Sequence, residues 1–413
     1  MGKNILIVIL ITFTSFNIFS QDVKIKSLKY FPGENGTAFP VLTLDETNRQ
    51  YLTIDFDIQA NSYADMNILF RFCDKYWNPY DNVFLANYGK NTLYNLSLDK
   101  LPTNIEGADY HFHGRVPDRN GYVEFPFSGN WMFYVTDSQD TSKVYCYGKF
   151  YVVENMIEIQ DTIKNEKLEG QTYFPNDLGK VFNITAKFIL TEKLFPGNVD
   201  NTTIIENEKI DFPFIIGKSF NTNTRQFYWD GNRNFSFTAR DIQPGNEYRQ
   251  VDLRNINKFN SKNVRAQFDG LEYSRFFKQG RGDLNGSSKI VAVSDPYSTY
   301  MNVAFSIKPP DDVYGDVFLV GAFNNWNLDL EYRMNYESGI FSKTIELKRG
   351  VYDYQYVVAD FKDGKIVKPD WQILEGNSWD TSNEYNIFVY YNETNFGGYD
   401  RIIGHSKIIS KRR

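Results

Sequence analysis

The sequence predicts an all-β chain built of tandem sandwiches, on three observations. Apolar and polar residues alternate with period two in one short run after another. Clusters rich in Gly, Pro, Asn and Asp separate those runs. No long segment sustains the 3.6-residue spacing of an amphipathic helix. Aromatic residues make up 17% of the 413, with 35 Phe, 29 Tyr and 6 Trp. That content favours pleated, half-buried surfaces and equally supplies anchors for a partner.

The first run, YLTIDFDI, sets Leu52, Ile54, Phe56 and Ile58 on one face and Thr53, Asp55 and Asp57 on the other. NWMFYVTD does the same with Trp131, Phe133 and Val135, and VFNITAKF, RNFSFTAR and MNVAFSIK repeat the pattern. In VYDYQYVVAD, Tyr352, Tyr354 and Tyr356 share a face. PDRNG (Pro117 to Gly121) and KDGK (Lys362 to Lys365) are turn clusters between such runs.

Length allows about three domains. Lys3 followed by the apolar run Ile5 to Ile11 reads as a signal peptide over residues 1–20, cut before Gln21, because the stretch is too short and too polar at its end to span a bilayer. The units are then expected at 21–155, at 156–295 with long loops, and at 296–413 with a tail. The polar stretch Glu154 to Gly170 is a linker or the first strand of the second unit.

Net charge is −6 and becomes one unit more negative without Lys3, which gives no attraction for nucleic acid or anionic lipid. The two cysteines, Cys73 and Cys146, lie in strand-like runs at either end of the first unit. An oxidising periplasm would let them pair, but sequence gives no Cα separation, so a disulfide and two free thiols both stay open. His111 and His113 alternate and so share a strand face, with no obvious third ligand beyond Asp109 or Asp118. Solvent-facing strand residues are the expected reading, and no metal is expected. No GxSxG, HExxH, Walker or GxGxxG pattern stands in a fitting context. Asp74, Asp81, Glu124, Glu346 and Asp353 read as solvated faces or turn residues, and Arg281-Gly282-Asp283 as a chance tripeptide. No catalytic residue and no cofactor is therefore expected.

The segment Val317 to Tyr391, with DVFLVGAFNNWNLD and GVYDYQYVV, resembles the glycogen-binding, immunoglobulin-like carbohydrate-binding modules. That resemblance implies an immunoglobulin-like sandwich of the early-set type. It makes Trp326 and Trp371 sugar-stacking candidates, with Asn386 as a polar contact, although Gln355 stands where the family has a basic residue. A second resemblance spans nearly the whole chain. LTIDFDIQANSYADMNILFRFCDKYWNP, FSGNWMFYVTD, KFYVVE, PGNEYRQVDLRNI, LEGNSWDTSNEYNIFVYY and YDRIIGHSKIIS, in that order, resemble the plug protein of the type IX secretion system. Cys146 and the middle segment NTNTRQFYWDGNRN depart from that pattern.

The second resemblance implies a periplasmic, non-catalytic protein held at the inner face of the outer membrane by a giant β-barrel translocon subunit, with no nucleic-acid partner and no insertion into the membrane. It would close the barrel when no cargo is engaged. The alternative is a periplasmic glycan-binding protein. The contact residues on the translocon side are left unknown by the sequence.

Overall fold

The computed structural model describes residues 23–45, 50–118, 120–168, 179–218, 221–267, 270–276, 278, 280–311, 313 and 315–410. The expected signal peptide lies outside them. Among the described residues no helix is long and apolar enough to cross a membrane.

The chain first lays down β1 (Lys24–Pro32), β2 (Val41–Thr43), β3 (Leu52–Gln59), β4 (Met66–Cys73), β5 (Thr92–Leu93), β6 (Asp99–Lys100), β7 (Tyr110–Val116), β8 (Gly129–Asp137) and β9 (Val144–Val153). They form two facing sheets, ordered β1-β3-β7-β6 and β2-β9-β8-β4-β5. The alternation decides what lies between them: Ile54, Phe56 and Ile58 from β3, Phe70 and Phe72 from β4, and Trp131, Phe133 and Val135 from β8 all enter one core. Asp57 and Thr53, on the opposite face of β3, are buried as well. The inner face of this sheet is buried throughout and the outer face in part, with Asp55 and His113 at its open rim.

The segment expected as linker or strand is a strand, β10 (Ile159–Lys167). It is followed by β11 (Lys180–Ile189), β12 (Val199–Glu206), β13 (Phe214–Gly217), β14 (Arg225–Trp229) and β15 (Asn234–Ile242). The chain then leaves this unit and builds another from β16 (Arg249–Asp252), β17 (Asn263–Arg265), β18 (Glu272–Tyr273), β19 (Ser288–Ile290), β20 (Tyr300–Lys308), β21 (Asp316–Gly321), β22 (Asn335–Glu337), β23 (Ile340–Lys348), β24 (Gly350–Lys362) and β25 (Lys365–Asp370). It returns as β26 (Glu384–Glu393) and β27 (Tyr399–Ile409).

The return strands do not join the unit that precedes them. One sheet of the middle sandwich runs β10-β11-β15-β14, and the other runs β13-β12-β26-β27, with Thr202 opposite Val389. Tyr385, Ile387, Val389 and Ile403 pack there against Phe182, Ile184 and Phe237. The third sandwich is thus an insertion between β15 and β26. This departs from the expected boundaries in two ways: strands placed in a unit from 296 onward begin at Arg249, and 384–409 complete the middle unit. Period two identifies a strand but not its partner, and here the partner lies far along the chain.

In the third sandwich β24 takes β16, β19, β21 and β25 as neighbours, facing a sheet ordered β17-β20-β23-β22. Tyr352, Tyr354 and Tyr356 point together into its core with Phe305 and Leu319. The KDGK cluster closes the β24–β25 hairpin with Asp363 and Gly364 both at positive φ, +50° and +75°, as a two-residue hairpin turn that follows the strand twist requires. Asp353, expected on a solvated face, is fully buried and accepts from Gln250 Nε2, Leu284 N and Gly286 N.

Candidate docking surface and sandwich junctions

The two tryptophans expected as a sugar platform lie between the second and third sandwiches. Trp326 sits in the FNNW turn at φ +61° with 1% of its surface exposed, and its indole Nε1 donates to Gly286 O at 2.7 Å. Tyr248 packs on it at 4.3 Å between ring centroids, and Trp371 meets Phe212 edge-on at 4.9 Å. The Lys209 ammonium lies 4.7 Å from the Trp371 ring, 5.3 Å from Tyr248 and 5.8 Å from Trp326, so all three aromatic faces surround one cation. Asn386 is elsewhere, buried on β26 with Oδ1 3.1 Å from His405 Nε2. A sugar ring needs an exposed aromatic face with polar groups beside it. The structure neither exposes Trp326 nor brings Asn386 to it; the two tryptophans join two sandwiches.

The cysteines are free. Cys73 on β4 stands opposite Asn130 and Cys146 on β9 opposite Val135, on the two flanks of β8. At about 3.4 Å per residue along β8 and about 4.8 Å per strand across it, the two lie nearly 20 Å apart, well beyond the roughly 7 Å that a disulfide spans. Burial pushes both thiols up to about 12. Asp283 of the Arg-Gly-Asp tripeptide is consumed locally, accepting from Tyr248 N and Asn285 N.

The outer face of the β3–β7 pair abuts the third sandwich through charged groups. Asp57, 1% exposed, accepts from Lys348 Nζ at 2.7 Å and Tyr300 Oη at 2.8 Å across the junction, and meets His111 Nδ1 at 2.8 Å within its own sheet. Burial alone would raise its carboxyl, but the hydrogen bonds and charge of His111, Lys348 and Tyr300 hold it below the usual carboxylate range. Lys26 reaches across to Glu346 at 2.6 Å and to Gly107 O. Gly107 has φ +96°, and a Cβ there would stand 2.6 Å from Tyr300 Cβ, so only glycine lets the two backbones approach. At the rim of this junction Asp55 joins the histidine pair, with Oδ2 3.1 Å from His113 Nδ1 and 3.5 Å from His111 Nε2. It is the cross-strand neighbour of His113, a relation that register creates and sequence spacing hides.

Against the middle sandwich the first presents aromatic rings instead. Tyr151 stacks on Phe388 at 4.3 Å with 20° between planes, Phe39 covers both, and His405 lies on the far face of Phe388 at 4.8 Å. Tyr390 Oη donates to Asn130 Oδ1 at 2.6 Å, and Val153, Ile205 and Ile402 fill the remainder. Burial lowers His405 to about 4.

One end of the first sandwich carries exposed aromatics. In the loop after β4, Val83, Phe84 and Tyr88 each expose more than 60% of their surface, as does Tyr76, while Leu85 and Ala86 turn inward and anchor the loop. Phe396, from the β26–β27 turn of the middle sandwich, comes within 6.2 Å of Phe84, tied by Asn82 Nδ2 donating to Phe396 O at 2.5 Å. Two sandwiches therefore share one apolar edge. The run DNVFLANYGK carried the signal in its non-alternating VF pair flanked by turn residues, but nothing in sequence says that those rings point outward.

Residues 25–154 match the family model described as the type 9 secretion system plug protein 1st domain. A search of curated proteins finds no match. Among solved structures, a crystal structure of a hypothetical protein from Parabacteroides merdae ATCC 43184 aligns with a TM-score of 0.74 at 21% identity, covering 94% of this chain and 98% of that one. The same arrangement of sandwiches thus recurs there over nearly its whole length. A 1.5-MDa bacterial ice-binding adhesin aligns with a TM-score of 0.14 at 8% identity over 94% of this chain and 96% of its own, and carries no argument. The first sandwich, over residues 25–154, thus matches the first domain of the type 9 secretion system plug protein.

Proposed function

We propose that this protein is a periplasmic plug that seats against the inner mouth of the giant outer-membrane barrel of a type IX secretion translocon and closes it when no cargo is engaged. The observation that carries the reading is the family match of the first sandwich, reinforced by what the rest of the chain does to it. The inner face of its β3 sheet is buried and the outer face partly so, and two buried junctions together with the doubly tethered insertion bind three sandwiches into one body. An idle pore wide enough for folded cargo leaks solutes unless its cover resists deformation, and sandwiches with dehydrated junctions have few soft modes. The contact is assigned to the shared edge of Phe84, Val83 and Phe396, because exposed rings on a rigid support are efficient anchors for an interface that must also release.

The test is co-purification from detergent-solubilised outer membranes. The intact chain should recover a giant barrel, and Phe84→Asp combined with Phe396→Asp should lose it by tenfold or more while the melting temperature stays unchanged. Failure of the intact chain to recover any barrel would overturn the plug reading. Retention by the variant would move the contact elsewhere on the body. Deleting the gene should raise outer-membrane permeability to large dyes, and unchanged permeability would remove the sealing step.

A further inference from the structure

We propose that Asp55, His111 and His113 form a binding site for a divalent transition ion of the zinc class, at the rim of the junction between the first and third sandwiches. The register of β3 and β7 sets Asp55 opposite His113 and Asp57 opposite His111, so all four side chains project from the same outer face. The ligand atoms of Asp55, His111 and His113 lie within 4.8 Å of one another. A tetrahedral ion with bonds of about 2.0–2.1 Å separates its ligands by about 3.3 Å. The distances from Asp55 Oδ2 to the two imidazoles, 3.1 and 3.5 Å, bracket that value.

The second, independent observation is the hydrogen bonding of His111. Its Nδ1 faces the buried carboxylate of Asp57 at 2.8 Å, and a carboxylate only accepts, so the proton sits on Nδ1. In the neutral ring Nε2 is then a lone pair with a second carboxylate, Asp55, 3.5 Å away. Two acceptors facing each other repel unless a cation lies between them. A metal ion between them would remove that repulsion. A carboxylate behind the ligating histidine is also the partner that fixes tautomer and ring orientation in metal centres. Asp57 is itself held from the third sandwich by Lys348 and Tyr300, so the ion would be linked through His111 and Asp57 to the neighbouring unit.

Access and charge agree. His113 and Asp55 expose 43% and 33% of their side chains, which leaves room for water to complete the coordination, whereas His111 is buried. Of the nearby ammonium groups, Lys348 is matched by Asp57 and Lys26 by Glu346, while Lys29, the cross-strand neighbour of Asp55 on β1, places its charge near that carboxylate but donates to Gly36 O and Ser288 O. Two imidazoles and one carboxylate suit zinc, cobalt, nickel or copper and disfavour calcium and magnesium, which take oxygen ligands.

The experiment titrates the full mature chain, stripped with chelator, with Zn²⁺ by calorimetry and with Co²⁺ by visible absorbance. One equivalent should bind with micromolar or tighter affinity, Co²⁺ should give ligand-field bands, and Zn²⁺ should raise the melting temperature. His113→Ala and Asp55→Asn, both at the exposed rim and checked for folding by circular dichroism, should each weaken binding by at least tenfold. His405→Gln should leave it unchanged. Asp57→Asn should weaken it about ten- to a hundredfold as a positioning residue, with the Co²⁺ bands retained at saturating metal. Absence of heat and of Co²⁺ bands at millimolar metal would overturn the proposal, and nitrogen NMR showing His111 doubly protonated at neutral pH would assign the gap to a proton. Unaltered stoichiometry in the Asp55→Asn/His113→Ala double variant would overturn it equally.

Discussion

The first sandwich meets its two neighbours through opposite chemistry. Toward the middle sandwich it buries Tyr151, Phe39 and Val153 against Phe388, Tyr390 and Ile402. Toward the third it buries Asp57 against Lys348, Tyr300 and His111, with Lys26 on Glu346 beside them. The aromatic contact removes apolar area from water, which stabilises strongly but tolerates sliding, since the hydrophobic effect has no direction. The charged contact recovers little net energy, because desolvating the ions offsets their attraction, yet it is satisfied in only one alignment. One junction holds the body together and the other sets the angle at which it is held. The proposed role as a cover seated on a rim calls on both.

Substitutions can break this comparison, beginning with the largest expected effect. Phe388→Ala should destabilise the chain by about 3–5 kcal/mol, as truncation of a buried aromatic does, read as a drop in denaturation midpoint. A loss below about 1 kcal/mol would mean that the aromatic junction is not the main tie.

Lys348→Ala leaves Asp57 buried without its cation and should cost about 3 kcal/mol or more, while Lys348→Met combined with Asp57→Asn should return to within about 1 kcal/mol of the native chain. The double variant should instead broaden spin-label distance distributions between the first and third sandwiches. If it is as unstable as the single variant, the charged junction contributes stability after all.

Acid should separate the two junctions. His405 is held neutral in the fold at about 4 against an ordinary 6.5, so its contribution is complete above 6.5 and is lost as pH falls toward 4. Asp57 is held below its ordinary value, so its contribution survives that whole window and fails only at lower pH. Buried carboxyls such as Asp353, pushed up to about 6 by burial, change in the other direction, so the informative quantity is a difference between chains. Between pH 6.5 and 4 the native chain should lose about 1–3 kcal/mol more than His405→Gln, measured by denaturant titration at each pH. Parallel pH profiles would show that protonating His405 does not disturb its stack on Phe388. The smallest effect concerns the thiols: reductant, or Cys73→Ser on the buried side, should leave electrophoretic mobility under denaturing conditions unchanged, since no cross-link joins Cys73 to Cys146.

What the sequence made legible was whatever depends on neighbours along the chain. Alternation assigned Leu52, Ile54, Phe56 and Ile58 to a core and grouped the three tyrosines of β24, because side-chain direction in a strand repeats every second residue. It could not say what covers the opposite face. Asp57 and Asp353 occupy the same pattern position as a solvated aspartate, and only packing between units buries them. The FNNW turn was visible, but its tryptophan serves a junction rather than a ligand. The third member of the histidine cluster, Asp55, is distant in sequence and becomes a neighbour only through the pairing of β3 with β7. The return of β26 to β12 was hidden for the same reason.

That return gives the molecule an order of completion. Strands β10 to β15 are made early, but the sheet that closes over Ile184 and Phe237 has only β12 and β13 until β26 and β27 arrive, after the whole inserted sandwich has been synthesised. The insertion can fold while the middle is still open, and Tyr151 of the first sandwich has only Phe39 to stack on until Phe388 is in place. Maturation therefore runs from the ends of the chain order inward to its centre, and a chain lacking residues 384–409 would carry two finished sandwiches around an unfinished one, with a greasy half-core open to chaperones and proteases.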